Sequence, residues 1–398
     1  MLAYSKRKIN MKILIVFSLP FILIVSSCTT VKKTGVLGKN RIFAFLYLPK
    51  EADPHKLKAA NLIHGQPQEW KDWQRRGIIP SRGKTWFDLL KNPVDVAAGI
   101  LATIDYGGNP NPVVTIDEFG FDFGGQTDTK AAEILRKTKA KMPNLSLAVW
   151  QMRGPIAPVL ADAYRDVVDL ILPEAYVGGE KDYWRIITQV RAAQLQGLMH
   201  KTVIAFGLGV GGYPGENWAE TKKELEQQVR FLRLIAPESP GVAFFAAGAF
   251  RGEPGLIEFA DELCGNFDQI PTDGTGLPES LLALHKTFTT PRTTPTLVVS
   301  SRWVEPDRRR EAPGKLVQPV TMRMFLMNLG DQTAENILIQ LRNPEDKGGD
   351  AFALGTVSVP GKSVTVAILP VIAKWRVWKT WIIEVEAKDC EVMSFPDG

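Results

Sequence analysis

The feature that most constrains this chain is a train of eight short, mostly apolar runs separated by longer stretches of helical period. The runs fall at 41–48, 60–64, 77–81, 113–118, 145–150, 169–174, 201–207 and 241–247. Strands that are apolar on both faces must be covered on both, the condition of a parallel sheet wrapped by its own crossover helices. The stretches between them, including 129–142, 181–198 and 219–235, repeat apolar residues close to every 3.6 positions, as helices with one buried face do. Eight such units within 41–270 predict an α/β fold, a (β/α)8 TIM barrel. A doubly wound open sheet is the competing arrangement. No G-x-G-x-x-G turn follows an early strand, and eight repeats favour closure.

The period changes further along. A Pro-, Thr- and Gly-rich segment, 271–295, is expected to be a linker. Beyond it, 296–300, 320–328, 337–342, 355–359, 363–369 and 380–387 alternate with period two and are bounded by Gly, Pro, Asn and Asp. That pattern predicts an antiparallel, all-β sandwich over 296–398. Met327-Asn328-Leu329-Gly330-Asp331, followed by Ala334-Glu335-Asn336-Ile337, resembles the bacterial immunoglobulin-like modules of adhesion proteins and secreted enzymes. The resemblance implies an immunoglobulin-like sandwich that positions the barrel or adds binding area. Trp375, Trp378 and Trp381, spaced by three, do not share one face of a strand, so packing is expected of them rather than a sugar-stacking strip.

The front of the chain is read as an export signal. Lys6, Arg7, Lys8 and Lys12 precede an apolar run, 13–25, that falls short of the ~20 residues needed to cross a hydrocarbon core. Val25-Ser26-Ser27-Cys28 resembles the lipobox of bacterial lipoproteins. The resemblance implies a signal peptide over 1–27, acylation of Cys28, a tether over 28–40, and a membrane anchor in the bacterial cell envelope, at the outer membrane or cell surface. Thr29 stands where an inner-membrane retention signal would place Asp. Without 1–27, the formal charge of +5 falls to 44 basic against 43 acidic side chains. A nucleic-acid partner is therefore not expected, since phosphate binding draws on a net basic face. Cys264 and Cys390 fall in different expected domains, and the four histidines form no cluster with cysteine. Neither a disulfide, a zinc site nor a cofactor is expected.

Barrel enzymes act at the C-terminal ends of their strands. Those ends carry Tyr47, His64 and Arg82, then Asp117-Glu118, Trp150-Gln151 and Glu174-Ala175-Tyr176. Gly207 and Gly209 follow, with Tyr213 in the next loop, and strand eight runs into Gly248, Phe250 and Arg251. Carboxylates among aromatic and amide side chains suit acid–base cleavage of a carbohydrate, with one carboxyl protonating the leaving oxygen and another attacking or activating water. Glu118 is expected to be the proton donor, Glu174 the second carboxylate, and Asp117 to orient Glu118 or raise its proton affinity. Neighbouring residues of a regular strand point to opposite faces, so Asp117 and Glu118 share a cavity only at a bulge or at the strand end itself. Tyr47, His64, Arg82, Trp150, Gln151, Tyr176 and Tyr213 are the expected substrate-binding residues. A serine nucleophile lacks its G-x-S-x-G turn, and Gly207 to Gly212 lack the Lys-Ser/Thr of a phosphate loop. Scarcity of histidine argues against a metallohydrolase built on His64, Glu118 and Glu174.

Val114-Thr115-Ile116-Asp117-Glu118-Phe119, Ile171-Leu172-Pro173-Glu174-Ala175-Tyr176 and the 203–209 segment resemble the strand-four, strand-six and strand-seven ends of TIM-barrel glycoside hydrolases. The chitinase type implies Glu118 as proton donor with Tyr176 beside it. The α-galactosidase type implies paired carboxylates on strands four and six. Val114 and Ile116 stand where the chitinase type alternates aspartates, and Phe245 and Ala246 where it places a tryptophan. The expectation is a lipid-anchored envelope glycoside hydrolase acting on an oligo- or polysaccharide. The alternative is a non-catalytic surface lipoprotein that binds carbohydrate or scaffolds an assembly.

Overall fold

The computed structural model describes residues 36–50, 52–65, 69–119, 127–152, 154–211, 218–306, 318–342, 352–373 and 382–395. Cys28 with the expected signal peptide, Tyr213, and Trp375, Trp378 and Trp381 lie outside the described residues.

Eight parallel strands form the main sheet: β1 (Ile42–Leu46), β2 (Leu62–His64), β3 (Ile79–Thr85), β4 (Val113–Phe119), β5 (Ser146–Gln151), β6 (Leu170–Pro173), β7 (Ala205–Gly209) and β8 (Gly241–Gly248). Their order is β6-β5-β4-β3-β2-β1-β8-β7. Single bridges, from Ile171 of β6 to Thr202 ahead of β7 and from Glu174 just past β6 to Ala205 of β7, join the sheet's two edges, making it a nearly closed TIM-like barrel. Helices separate the strands: α1 (Trp70–Arg75), α2 (Trp86–Leu90) and α3 (Val94–Ala102), then α4 (Thr127–Lys141), α5 (Pro158–Val167) and α6 (Trp184–Leu195), then α7 (Lys222–Ile235) and α8 (Leu256–Gly265). Their sequences explain their ends. In α7, Thr221 accepts from the Glu224 N–H while Glu224 reaches back to the Thr221 N–H, a capping box.

Strand alternation sorts the apolar residues into two cores. Ile42, Ala44 and Leu46 of β1 join Leu62, Val113, Ala148, Trp150, Leu170, Leu172 and Ala243 in a plug inside the barrel. Phe43, Phe45, Ile63, Val114, Ile116, Val149, Phe206 and Phe244 face outward against the helices. Both faces are buried, which is why the runs read as continuously apolar.

Within the segment expected to be a linker, Glu279–Thr289 forms helix α9, burying Leu281 and Phe288. Seven strands follow: β9 (Thr296–Pro306), β10 (Gln318–Asn328), β11 (Ala334–Arg342), β12 (Phe352–Val359), β13 (Ser363–Ala373), β14 (Ile382–Glu386) and β15 (Glu391–Ser394). They make a four-stranded sheet, β13-β10-β9-β15, and a three-stranded sheet, β12-β11-β14. All pairings are antiparallel except β15 with β9, which is parallel and departs from the expected pattern. Leu297, Val299, Met324 and Leu326 face Ile337, Ile339 and Val359 between the sheets. Val298, Phe325, Met327 and Val364, on the opposite face, belong to the barrel's outer core. Asn328 pins the module: its Oδ1 accepts from Thr296 and Gly330 N–H, and its Nδ2 donates to the Gln332 and Val359 carbonyls. Residues 35–398 are one compact unit.

Candidate active site

The barrel's C-terminal mouth is built from inward-facing positions at the strand ends. His64 closes β2, Asp117 lies near the end of β4, Trp150 near the end of β5, and Phe245 within β8. Glu174 and Tyr176 continue the inward parity of Leu170 and Leu172 just past β6. Tyr47 follows β1 with φ 52°, in the left-handed region.

Strand β4 solves the problem of two adjacent acids. Its pairing with β5 shifts register between Ile116 and Phe119, and Glu118 takes φ 54°. This bulge keeps Asp117 inward and Phe119 outward, with Glu118 as the extra residue between them. The Tyr47 hydroxyl donates to Asp117 Oδ2 at 2.8 Å. Burial first, then the charges and hydrogen bond of Asp117 and the charges of Glu118 and Glu174, hold the Tyr47 phenol well above the ordinary tyrosine range. The Tyr47 hydroxyl thus touches Asp117 and lies within electrostatic reach of Glu118 and of Glu174 just past β6.

Asp117 is buried, and desolvation raises its carboxyl against the opposing hydrogen bonds from Tyr47 and the Glu118 backbone. His64 lies beside the Tyr47 ring, with centroids 5.4 Å apart. Burial, helped by the charge of Arg82, lowers His64 to about 4, so its imidazole is neutral at pH 7. Phe245 is the hub of an aromatic wall, with Tyr47, Tyr176, Trp218 and Trp150 at centroid distances of 5.3, 5.6, 5.3 and 6.5 Å. No three His, Cys, Asp or Glu side chains among the described residues are grouped as a metal site.

The structure therefore brings Tyr47, His64, Asp117, Glu118, Trp150, Glu174 and Tyr176 to one mouth. It places two expected substrate-binding residues elsewhere. Gln151 is buried on the outer face, where it accepts from the Tyr164 hydroxyl of α5. Trp150 points inward, so its neighbour must point out. Arg82, flanked by Ser81 and Gly83, donates to the Asp105 carbonyl in the loop after α3. Phe245 and Trp218 were not among the expected site residues. Trp218 is seated over Gly207, where a Cβ would come within 2.6 Å of its ring. The readable signal was a glycine at an inward position of β7, which leaves space that another ring must fill.

No protein-family model matches the chain, and no curated protein matches it. Solved structures with a similar fold include a glycoside hydrolase family 5 protein from Bacteroides vulgatus (10% identity, 87% of this chain and 89% of that one, TM-score 0.37). A β-galactosidase from Bacillus circulans matches at 7% identity over 83% of this chain and 99% of that one, with TM-score 0.41. The spore cortex-lytic enzyme SleL of Bacillus megaterium matches at 9% identity over 56% of this chain and 73% of that one, with TM-score 0.39. At these identities the likeness is one of fold.

Proposed function

We propose that the protein is a lipid-anchored glycoside hydrolase of the bacterial envelope that cleaves an oligo- or polysaccharide by carboxylate acid–base catalysis. The observation that carries this reading is the Tyr47–Asp117 hydrogen bond at the bulged end of β4, with Glu118 next in the chain and Glu174 just past β6, within an aromatic-walled barrel mouth. In this scheme Glu118 protonates the departing glycosidic oxygen, and Glu174 attacks the anomeric carbon or activates water. Tyr47 holds Asp117, which orients the Glu118 backbone at the bulge. The rings of Phe245 and Tyr176 take the apolar face of the sugar. Cys28 carries the lipid, and the sheets after residue 295 position the barrel at the membrane.

The test is a glycan-release screen with detergent-solubilised full-length protein beside Glu118→Gln and Glu174→Gln. Release that falls by about a hundredfold or more in either variant, with circular dichroism unchanged, supports the assignment. Glycan binding by the wild type without release would leave a carbohydrate-binding lipoprotein instead. Fractionation and mass analysis of Cys28→Ala test the anchor separately: the variant should lose its acyl mass and leave the membrane fraction.

A further inference from the structure

Four large apolar side chains are at least partly exposed among the described residues: Tyr47, Val96, Val159 and, most of all, Phe250. Val96 and Val159 sit on the outer helices α3 and α5, where scattered apolar exposure is ordinary. Both aromatic ones stand at the C-terminal end of the barrel. Tyr47 belongs to the mouth. Phe250, 67% exposed, lies in a one-turn 3-10 segment, Ala249–Arg251, directly after β8.

Phe250 is held rather than loose. The Arg251 guanidinium carbon lies 5.4 Å from its ring centroid, and Arg251 Nη2 donates to the Val210 carbonyl at 2.7 Å. The turn is also locked to the end of β7 by close backbone packing. A Cβ on Gly209 would stand 2.0 Å from the Gly248 carbonyl oxygen, and one on Gly252 would stand 2.9 Å from Gly209 Cα. Glu253 N–H donates to the Glu220 carbonyl at 2.8 Å, closing the loop onto the segment that carries Trp218. The backbone that carries the ring is therefore fixed, which lowers the ordering cost of stacking a ligand there.

We propose that Phe250 is the stacking platform for a sugar unit remote from the reacting one, so that the site selects an extended glycan chain over a mono- or disaccharide. This inference rests on the glycosidase reading of the mouth. Phe245 lines the mouth, and Gly248 lies three residues further along β8. The strand advances about 10 Å between them, more than one sugar ring occupies, and the turn that carries Phe250 follows directly. A ring at that reach is out of range of the reacting sugar but adds apolar area to a chain that runs outward over β8. Phe250 would raise affinity with chain length and leave the chemical step unchanged.

The experiment measures binding and hydrolysis by detergent-solubilised full-length protein on gluco-, xylo-, chito- and galacto-oligosaccharides from dimer to hexamer. Wild type, Phe250→Ala, Phe250→Trp and Glu118→Gln are compared. The wild type should gain affinity with length on the accepted backbone. Phe250→Ala should lose about tenfold on the longest chains and nothing on the shortest, with Phe250→Trp restoring the gain. Phe250→Ala binding every length as wild type does, or a wild type indifferent to length, overturns the platform while Glu118-dependent release still stands. A wild type that neither binds nor cleaves any of the chains removes the glycosidase reading and the platform together.

Discussion

Tyr47 and Glu118 stand on backbone that residues with a Cβ seldom adopt, at φ 52° and 54°. Each such position costs about 1 kcal/mol or more, and the cost is sustained only where surrounding structure enforces it. At Glu118 the benefit is geometric: without the bulge, Asp117 and Glu118 would face opposite sides of β4. Asp117 adds an electrostatic cost. Its carboxyl lies above the ordinary 3.8 in the folded chain, chiefly through desolvation. The folded state therefore binds this proton more readily than the unfolded one, and the associated stability is present at low pH and lost as pH rises through the folded value. An amide in place of this carboxyl would carry no charge and could still accept the Tyr47 hydrogen bond through its oxygen. Asp117→Asn should melt above the wild type at pH 7, with the gap closing as pH falls towards 3.8. A variant that melts lower at pH 7 would show that the carboxylate is stabilised rather than strained. The acids and aromatic residues at strand ends were visible in the sequence because inward strand ends must carry a barrel's chemistry. Gln151 was separable from Trp150 by parity alone, since neighbours on a regular strand cannot both face inward. Trp218 was not visible. Its ring reaches the mouth because the segment after β7 folds back and pairs Ala219 with Leu208, which no local period reveals.

Among the elements, β7 shows how a strand end is shaped by what it omits. Gly207 leaves the inner face open for Trp218, whose ring contacts Tyr176 and Phe245 at 5.3 Å each. Gly207→Ala would place a Cβ 2.6 Å from two atoms of a ring that is 5% exposed and has little room to retreat. The variant should lose about 1–3 kcal/mol of stability, the usual range for overpacking, and Trp218 emission should shift to the red as the ring is driven towards solvent. Unchanged stability and emission would mean that Trp218 is not packed in this seat. The eight strands were legible because burial on both faces leaves continuous apolar runs. Their boundaries were less so. β3 runs on to Thr85 through Arg82 and Lys84, and β7 begins only at Ala205, because Met199–Lys201 forms a 3-10 turn ahead of it. Helix α9 was hidden between two turn-rich flanks, although Leu281, Leu284 and Phe288 keep a helical period across it.

For the molecule as a whole, the question is whether barrel and sheets unfold together. Among the described side chains, both faces of the four-stranded sheet are covered: Leu297, Val299, Met324 and Leu326 bury against the three-stranded sheet, while Val298, Phe325 and Met327 bury against the barrel. The join is reinforced at the chain's far end. Phe395, just past β15, stacks on Trp184 of α6 at 5.5 Å and on Phe288 of α9 at 5.8 Å. Arg191 of α6 donates to the Phe288 carbonyl, and Arg292 pairs with Glu391. A sheet that loses one of its two covers exposes a full apolar face to water, so detaching it costs a large part of what unfolding it costs. Calorimetry of the solubilised protein should therefore give a single cooperative transition. Phe395→Ala removes a half-buried ring from both stacks and should lower that transition by about 2 kcal/mol without dividing it. If the variant, or the wild type, shows two separated transitions, the barrel and the sheets are independent folding units. The helix within 271–295 would then be a spacer between them rather than part of a shared core.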